Sequence, residues 1–223
     1  PPARFSGSPI APRRLPRRHW RVSDAMPETG SSAEPAIAAG KQAPARPSVL
    51  VVMGVSGSGK STIGTQLALK LHWEFEDGDW FHPASNVEKM HSGQPLTDED
   101  RWPWLNAIAA FIDASRKAGK HAVIACSALK RSYRAIIVGD RPDVRLIYLK
   151  GDIALIARRI AARHEHFMPL ELLQSQFDAL EEPGPEENPI VVSVAPGPRA
   201  IVMQVLSALD AQESRPQAAP EGR

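Results

Sequence analysis

The chain has 223 residues, 43% of them apolar and 23% charged, which suits one globular domain with tails at roughly 150 residues per domain. No stretch nears the roughly 18 consecutive apolar residues of a membrane-spanning helix, and a single cysteine, Cys126, excludes an intramolecular disulfide framework and fits a reducing compartment. The formal charge of +2 and sequence pI of about 8.9 suggest, taken whole, an anionic partner.

That charge is uneven along the chain. Residues 1–48 hold eight Lys or Arg against three acids, a local +5, whereas the remaining 175 hold nineteen against twenty-two, a local −3. The same segment carries nine of the 21 prolines. It shows no apolar period, so it cannot bury enough surface to offset its ordering entropy and is expected to be disordered. It lacks the apolar core of a secretory signal, and its prolines oppose an amphipathic targeting helix. A cytoplasmic location is the expectation, with Met26 the candidate natural start. Three segments result: an extension over 1–47, a domain over 48–210 and a polar, Pro-rich flexible tail over 211–223.

From residue 48 short β-rich runs alternate with amphipathic helices. Residues 48–53 (SVLVVM) form a continuous apolar run, as a strand buried on both faces requires. Residues 61–71 read as a helix with Ile63, Leu67 and Leu71 on one stripe, 73–77 as a second strand, and 83–90 as one or two helical turns. The helix over 104–117 turns Leu105, Ile108 and Ile112 inward and stops at Gly119. A third strand over 121–126, a helix over 130–138 and a fourth strand over 144–149 follow. Asp152 is placed to N-cap the next helix, with Ile153, Ile156 and Ile160 inward. Pro169 opens another, with Leu173, Phe177 and Leu180 on one face. Residues 190–194 make the fifth strand and 199–209 the closing helix. The alternation predicts an α/β fold, a five-stranded parallel sheet flanked by helices on both faces.

Gly54, Val55, Ser56, Gly57, Ser58, Gly59, Lys60 and Ser61 match the pattern G-x-x-x-x-G-K-[ST] between a buried strand and a helix, the context it needs. The glycines let backbone N–H groups surround a phosphate, and the helix N-terminus adds positive potential. Lys60 can reach the β- and γ-phosphates, the Ser61 hydroxyl can ligate Mg²⁺, and Thr62 can touch the α-phosphate. This predicts a P-loop NTPase binding ATP. The strings D-x-x-G and N-K-x-D of regulatory GTPases do not occur, and the third strand ends in Cys126-Ser127 rather than the acid usual in motor ATPases. A small-molecule kinase is the better fit.

Asp77-Gly78-Asp79 follows the second strand, at the carboxyl end where parallel sheets bind ligands. A phosphoryl acceptor needs a base, for which Asp79 is the candidate. Asp77 can hold Mg²⁺ through water, or one of the two acids caps the following turn. His82, Lys89, Arg101 and Lys130 can supply polar contacts and a cation for an acidic acceptor. Thr97 with Asp100 is a helix-capping signature, and Trp102 and Trp104 read as packing. His164, His166 and Cys126 lack the spacing of a local zinc site.

The blocks MGVSGSGKS (53–61), DGDWFHPASNVEKMHSGQPLTDEDRWPWL (77–105), CSALKRSYR (126–134), YLKGD (148–152) and HFMP with LLQSQFDALEEP (166–183) resemble the bacterial-type gluconokinases, P-loop kinases related to shikimate and adenylate kinases. The resemblance covers about residues 48–209. It implies an adenylate-kinase-like sheet with a short lid, and ATP- and Mg²⁺-dependent phosphorylation of D-gluconate to 6-phosphogluconate. It implies that Asp79 holds the acceptor hydroxyl, that Arg101 holds its carboxylate, and that His166 joins the acceptor set. Arg159 would lie against the adenine and Arg163 would reach the phosphates as catalyst. Where the family's lid commonly reads R-x-G-H-F, this chain has Glu165 in place of the glycine. The implied partners are the small-molecule substrate and a second copy as a homodimer, with neither membrane nor nucleic acid. Two rivals are weighed: a kinase for another small polyol acid or shikimate, and a nucleotide-sensing module whose basic tail contacts nucleic acid. The paired acids after the second strand oppose the latter.

Overall fold

The computed structural model describes residues 47–162 and 170–213. The expected disorder of the N-terminal extension, the candidate start Met26, and the lid residues Arg163, Glu165 and His166 lie outside the described residues. Along the chain run β1 (Val49–Met53), α1 (Lys60–Leu71), β2 (Glu74–Asp77), α2 (Ala84–His91), α3 (Asp98–Lys117) and β3 (Ala122–Ala125). Then come α4 (Arg131–Ile137), β4 (Val144–Lys150), α5 (Ile153–Ala161), α6 (Leu170–Asp178), β5 (Ile190–Ser193) and α7 (Pro198–Glu213). Single 3₁₀ turns cover Gly78–Phe81 and Pro185–Glu187.

The strands form one sheet in the order β2-β3-β1-β4-β5, parallel throughout. β1 lies at the centre, with Val51 opposite Ile124 on one side and Leu146 on the other. Its side chains alternate between two cores. Val49, Val51 and Met53 pack with Leu105, Ile108 and Ile112 of α3. Leu50 and Val52 pack with Ile63 and Leu67 of α1 and Val205 of α7. All five β1 side chains are 0% exposed. At roughly 1.5–3 kcal/mol per fully buried aliphatic side chain, that is on the order of 10 kcal/mol of gross hydrophobic stabilisation.

Most boundaries fall within a residue or two of expectation, and three are instructive. Helix α3 begins at Asp98 rather than 104, and Pro103 lies inside it. The capping box sets the start: Asp100 N–H donates to Thr97 Oγ at 3.3 Å, and Thr97 N–H donates to the Asp100 carboxylate at 2.9 Å. Strand β2 starts at Glu74 because the Trp73 N–H still donates to the Ala68 carbonyl of α1 at 2.9 Å, and Glu74 is the first to donate to the neighbouring strand segment, at the His121 carbonyl. Helix α7 runs on to Glu213, past the expected end at 209, and residues 214–223 of the expected tail lie outside the described residues. The expected cap of α5 is present, Leu155 N–H donating to Asp152 Oδ1 at 2.7 Å. Among the described residues no helix is long and apolar enough to cross a membrane.

Candidate active site

The loop from Gly54 to Gly59 leaves β1 and enters α1. Gly54, Gly57 and Gly59 have φ of 146°, 78° and 98°, values that a Cβ disfavours. At Gly57 a Cβ would also meet Ile160 at 2.7 Å, so side chain size and backbone sign both restrict the position. The half-buried Lys60 donates from Nζ to the Val55 carbonyl at 3.1 Å, back across the loop. Burial lowers its pKa, and Asp79, Cys126 and Asp77 oppose that shift. The Ser56 N–H donates to Gln176 Oε1 of α6 at 2.6 Å, 120 residues away. Ser58 is 1% exposed and its hydroxyl has no partner among the described residues.

At the end of β2, Asp77 ties both halves of the crevice together. It accepts from Ser61 Oγ at 2.7 Å and from the Asp79 N–H at 3.1 Å. It therefore caps the 3₁₀ turn and also holds the hydroxyl of the phosphate loop. That turn is pinned by Trp104, whose Nε1–H donates to the Gly78 carbonyl at 2.7 Å. Gly78 has no alternative, because a Cβ there would stand 2.6 Å from the Ala125 carbonyl. Asp79 has its pKa raised, first by burial and then by Asp77, with Lys60 and His82 opposing. A carboxylate so placed is a stronger base than an exposed one. Beneath it Cys126 is buried and its thiol is pushed up to about 12 by that burial, so it stays protonated near neutral pH.

The cations beside the crevice are not free point charges. Lys89 donates to the capping carboxylate of Asp100 at 2.7 Å. Lys130 reaches Asp98 at 2.7 Å, where the Tyr133 hydroxyl also donates, and Arg101 Nη1 lies 3.5 Å from the same carboxylate. The Arg101 guanidinium stands 5.9 Å from the Tyr133 ring centroid. Arg101 also helps burial lower the His82 pKa. Lys60, Ser61, Asp77, Asp79, His82 and Arg101 thus influence one another around one crevice. Lys89 and Lys130 flank it, each held by an acid of the first turn of α3. Arg159 sits apart, donating to the carbonyls of Val194 and Pro196 after β5, and Thr62 is exposed on the first turn of α1.

Sequence reasoning missed four groups. Asn86 and Tyr133 bond to His82 and Asp98, and Arg134 is a buried arginine, 1% exposed. Arg134 forks onto Glu187 at 2.6 and 2.8 Å and donates to the carbonyls of Ala128, Leu129 and Glu181. It shapes the loop that carries Lys130. Gln176, meeting the phosphate loop across 120 residues, left no local signal.

This crevice, a phosphate loop facing a desolvated carboxylate, sits in a chain with named relatives. The shikimate kinase family model matches residues 56–208. A gluconokinase of Gluconobacter oxydans is 45% identical over 168 residues, covering 75% of this chain and 94% of the relative. The chain belongs to the gluconokinase family. The thermoresistant gluconokinase of Escherichia coli is 46% identical over 144 residues, covering 65% of this chain and 82% of the relative. The crystal structure of a gluconokinase from Sinorhizobium meliloti superposes with a TM-score of 0.68 at 43% identity, covering 74% of this chain and 93% of that one. As a gluconokinase-family member the chain is a kinase with a nucleotide substrate, and the five-stranded parallel sheet is the expected one.

Proposed function

We propose that the domain over residues 48–210 transfers the γ-phosphoryl group of ATP to a hydroxyl of D-gluconate, giving 6-phosphogluconate. The observation that carries the reading is the Asp77 bridge. One carboxylate joins the Ser61 hydroxyl of the phosphate loop to the backbone of Asp79, so nucleotide and acceptor sides share a single anchor. In this reading Asp79 orients the attacking hydroxyl and takes its proton, while Lys60 turns from Val55 to the phosphates. Arg101, with Lys130 beside it, receives the acceptor carboxylate. Lys89 holds Asp100 and so the entry to α3. Arg163, His166 and the adenine contact of Arg159 are carried over from the family resemblance.

Ser61 and Asp77 offer hard oxygen ligands 2.7 Å apart, a donor set suited to Mg²⁺ with water filling its other positions. Bound there with ATP, Mg²⁺ would neutralise charge on the β- and γ-phosphates. Among the described residues no group of three or more His, Cys, Asp or Glu could hold a metal ion. A cytoplasmic location and a homodimer belong to the same reading, the first supported by the single buried cysteine and the second by the resemblance alone. Coupled measurement of ADP release with a panel of sugar acids and shikimate tests the proposal. Gluconate should stimulate turnover far above the rest. Equal stimulation by shikimate, or none by any acceptor, would overturn it.

A further inference from the structure

Two contacts hold the His82 ring, and the one with Asn86 decides its tautomer. Its ring stacks on Trp104 with centroids 4.3 Å apart and planes 12° from parallel. The Asn86 side chain, 2% exposed, places Nδ2 at 2.7 Å from the Asp100 carbonyl and 3.3 Å from His82 Nδ1. A backbone carbonyl can only accept, so the amide nitrogen of Asn86 must be the atom facing it. The second proton on that nitrogen is then directed at His82 Nδ1, which must present a lone pair. A neutral imidazole with a lone pair on Nδ1 carries its hydrogen on Nε2. Among the described residues nothing hydrogen-bonds Nε2.

We propose that Asn86 is a positioning residue that holds His82 as the neutral Nε2–H tautomer, making the ring a fixed hydrogen-bond donor beside the accepting carboxylate of Asp79. The two groups are joined through the backbone, His82 N–H to the Asp79 carbonyl at 3.4 Å. A donor next to an acceptor reads a vicinal diol: the attacking hydroxyl gives its proton to Asp79, and the oxygen of its neighbour accepts from His82. Burial outweighs the pull of Asp79 toward an imidazolium, and Arg101 adds to burial, which leaves Nδ1 unprotonated for Asn86. The diol reading rests on the proposed polyol-acid kinase activity; the tautomer does not.

The test uses the full chain labelled with ¹⁵N at histidine, at neutral pH and without nucleotide. Long-range ¹H–¹⁵N spectra, with His82 assigned from its loss in His82→Phe, should show hydrogen on Nε2 and an unprotonated Nδ1. In Asn86→Asp the new carboxylate demands a donor, and hydrogen should appear on Nδ1. An Nδ1–H ring in the unsubstituted protein overturns the proposal whatever the kinetics. Both substitutions should raise KM for the acceptor about tenfold, the worth of one hydrogen bond, and leave KM for ATP within about twofold. Unsubstituted protein should disfavour an acceptor lacking the hydroxyl next to the phosphorylated one by about tenfold, and His82→Phe should lose that preference. Unchanged acceptor KM in both variants overturns the diol reading. If Asn86→Asp does not fold, the spectrum of the unsubstituted protein and the kinetics of His82→Phe decide. Failure of every acceptor would sink the proposed function and the diol contact with it, while the spectrum still decides the tautomer.

Discussion

The phosphate loop and the acceptor side are built by different means. The loop is contiguous in sequence, shaped by backbone sign at three glycines, and fastened to the most buried strand of the sheet. The acceptor side is gathered from the ends of β2 and β3, the first turn of α3 and the start of α4, and held by side chains bonded to Asp98, Asp100 and Glu187. Backbone geometry suits a ligand part common to every nucleotide triphosphate. Side-chain networks suit a part that must differ from one acceptor to another.

Substitutions can break that contrast, beginning with the largest effect. Asp79→Asn should lower kcat roughly 10²–10⁴-fold while ATP binding, followed by calorimetry, barely changes. Comparable loss of ATP affinity would show that the two sides are not separable. Arg134→Met removes the partner of Glu187 and three carbonyl contacts. Losing one member of a buried pair costs about 3–5 kcal/mol, to be read in urea unfolding, and the remaining folded protein should still bind ATP. Asp98→Asn is gentler. It releases Lys130, Tyr133 and Arg101 together, so acceptor KM should rise about tenfold, about one charge-assisted hydrogen bond's worth, with KM for ATP steady. An equal rise in both would place Asp98 in the scaffold instead.

The smallest effect concerns pH and neither side of the crevice. Asp113 is held down to about 2, chiefly by its hydrogen bonds to Arg141. A depressed carboxyl contributes stability that is complete above its unfolded value of about 3.9 and lost as pH falls through the folded value. Thermal melts between pH 7 and 2 should therefore show Asp113→Asn converging on the unsubstituted protein at the acid end. Curves that keep a constant separation would mean that the Asp113 carboxylate is not held down in the folded state.

Legibility in the sequence followed the same divide. The strand, glycine loop and helix of the nucleotide side are local, and the pattern that marks them is also their mechanism. The centre of the sheet was legible because β1 and β3 are continuous apolar runs, whereas β2 sets Phe75 among three acids and shows no such run. Helix α3 shows how local signs compete: Thr97 and Asp100 mark its start, yet Pro103 draws the eye to a later one. Arg101 and Lys130 were visible as cations, but their shared carboxylate was not, since Asp98 lies 32 residues from Lys130. Asn86 reads as an ordinary polar residue on a short helix until His82 is seen on one side of its amide and the Asp100 carbonyl on the other.

Cys126 lies under this crevice as the chain's single thiol, buried and protonated, electrostatically coupled to both Lys60 and Asp79. A water-borne thiol reagent can reach it only when the carboxyl end of β3 opens, so its rate of labelling counts those openings. The chain therefore carries a built-in clock for breathing at its own site. Ligands that tighten the crevice should slow that clock, and its rate with ATP alone against ATP plus acceptor would separate the tightening that each ligand brings.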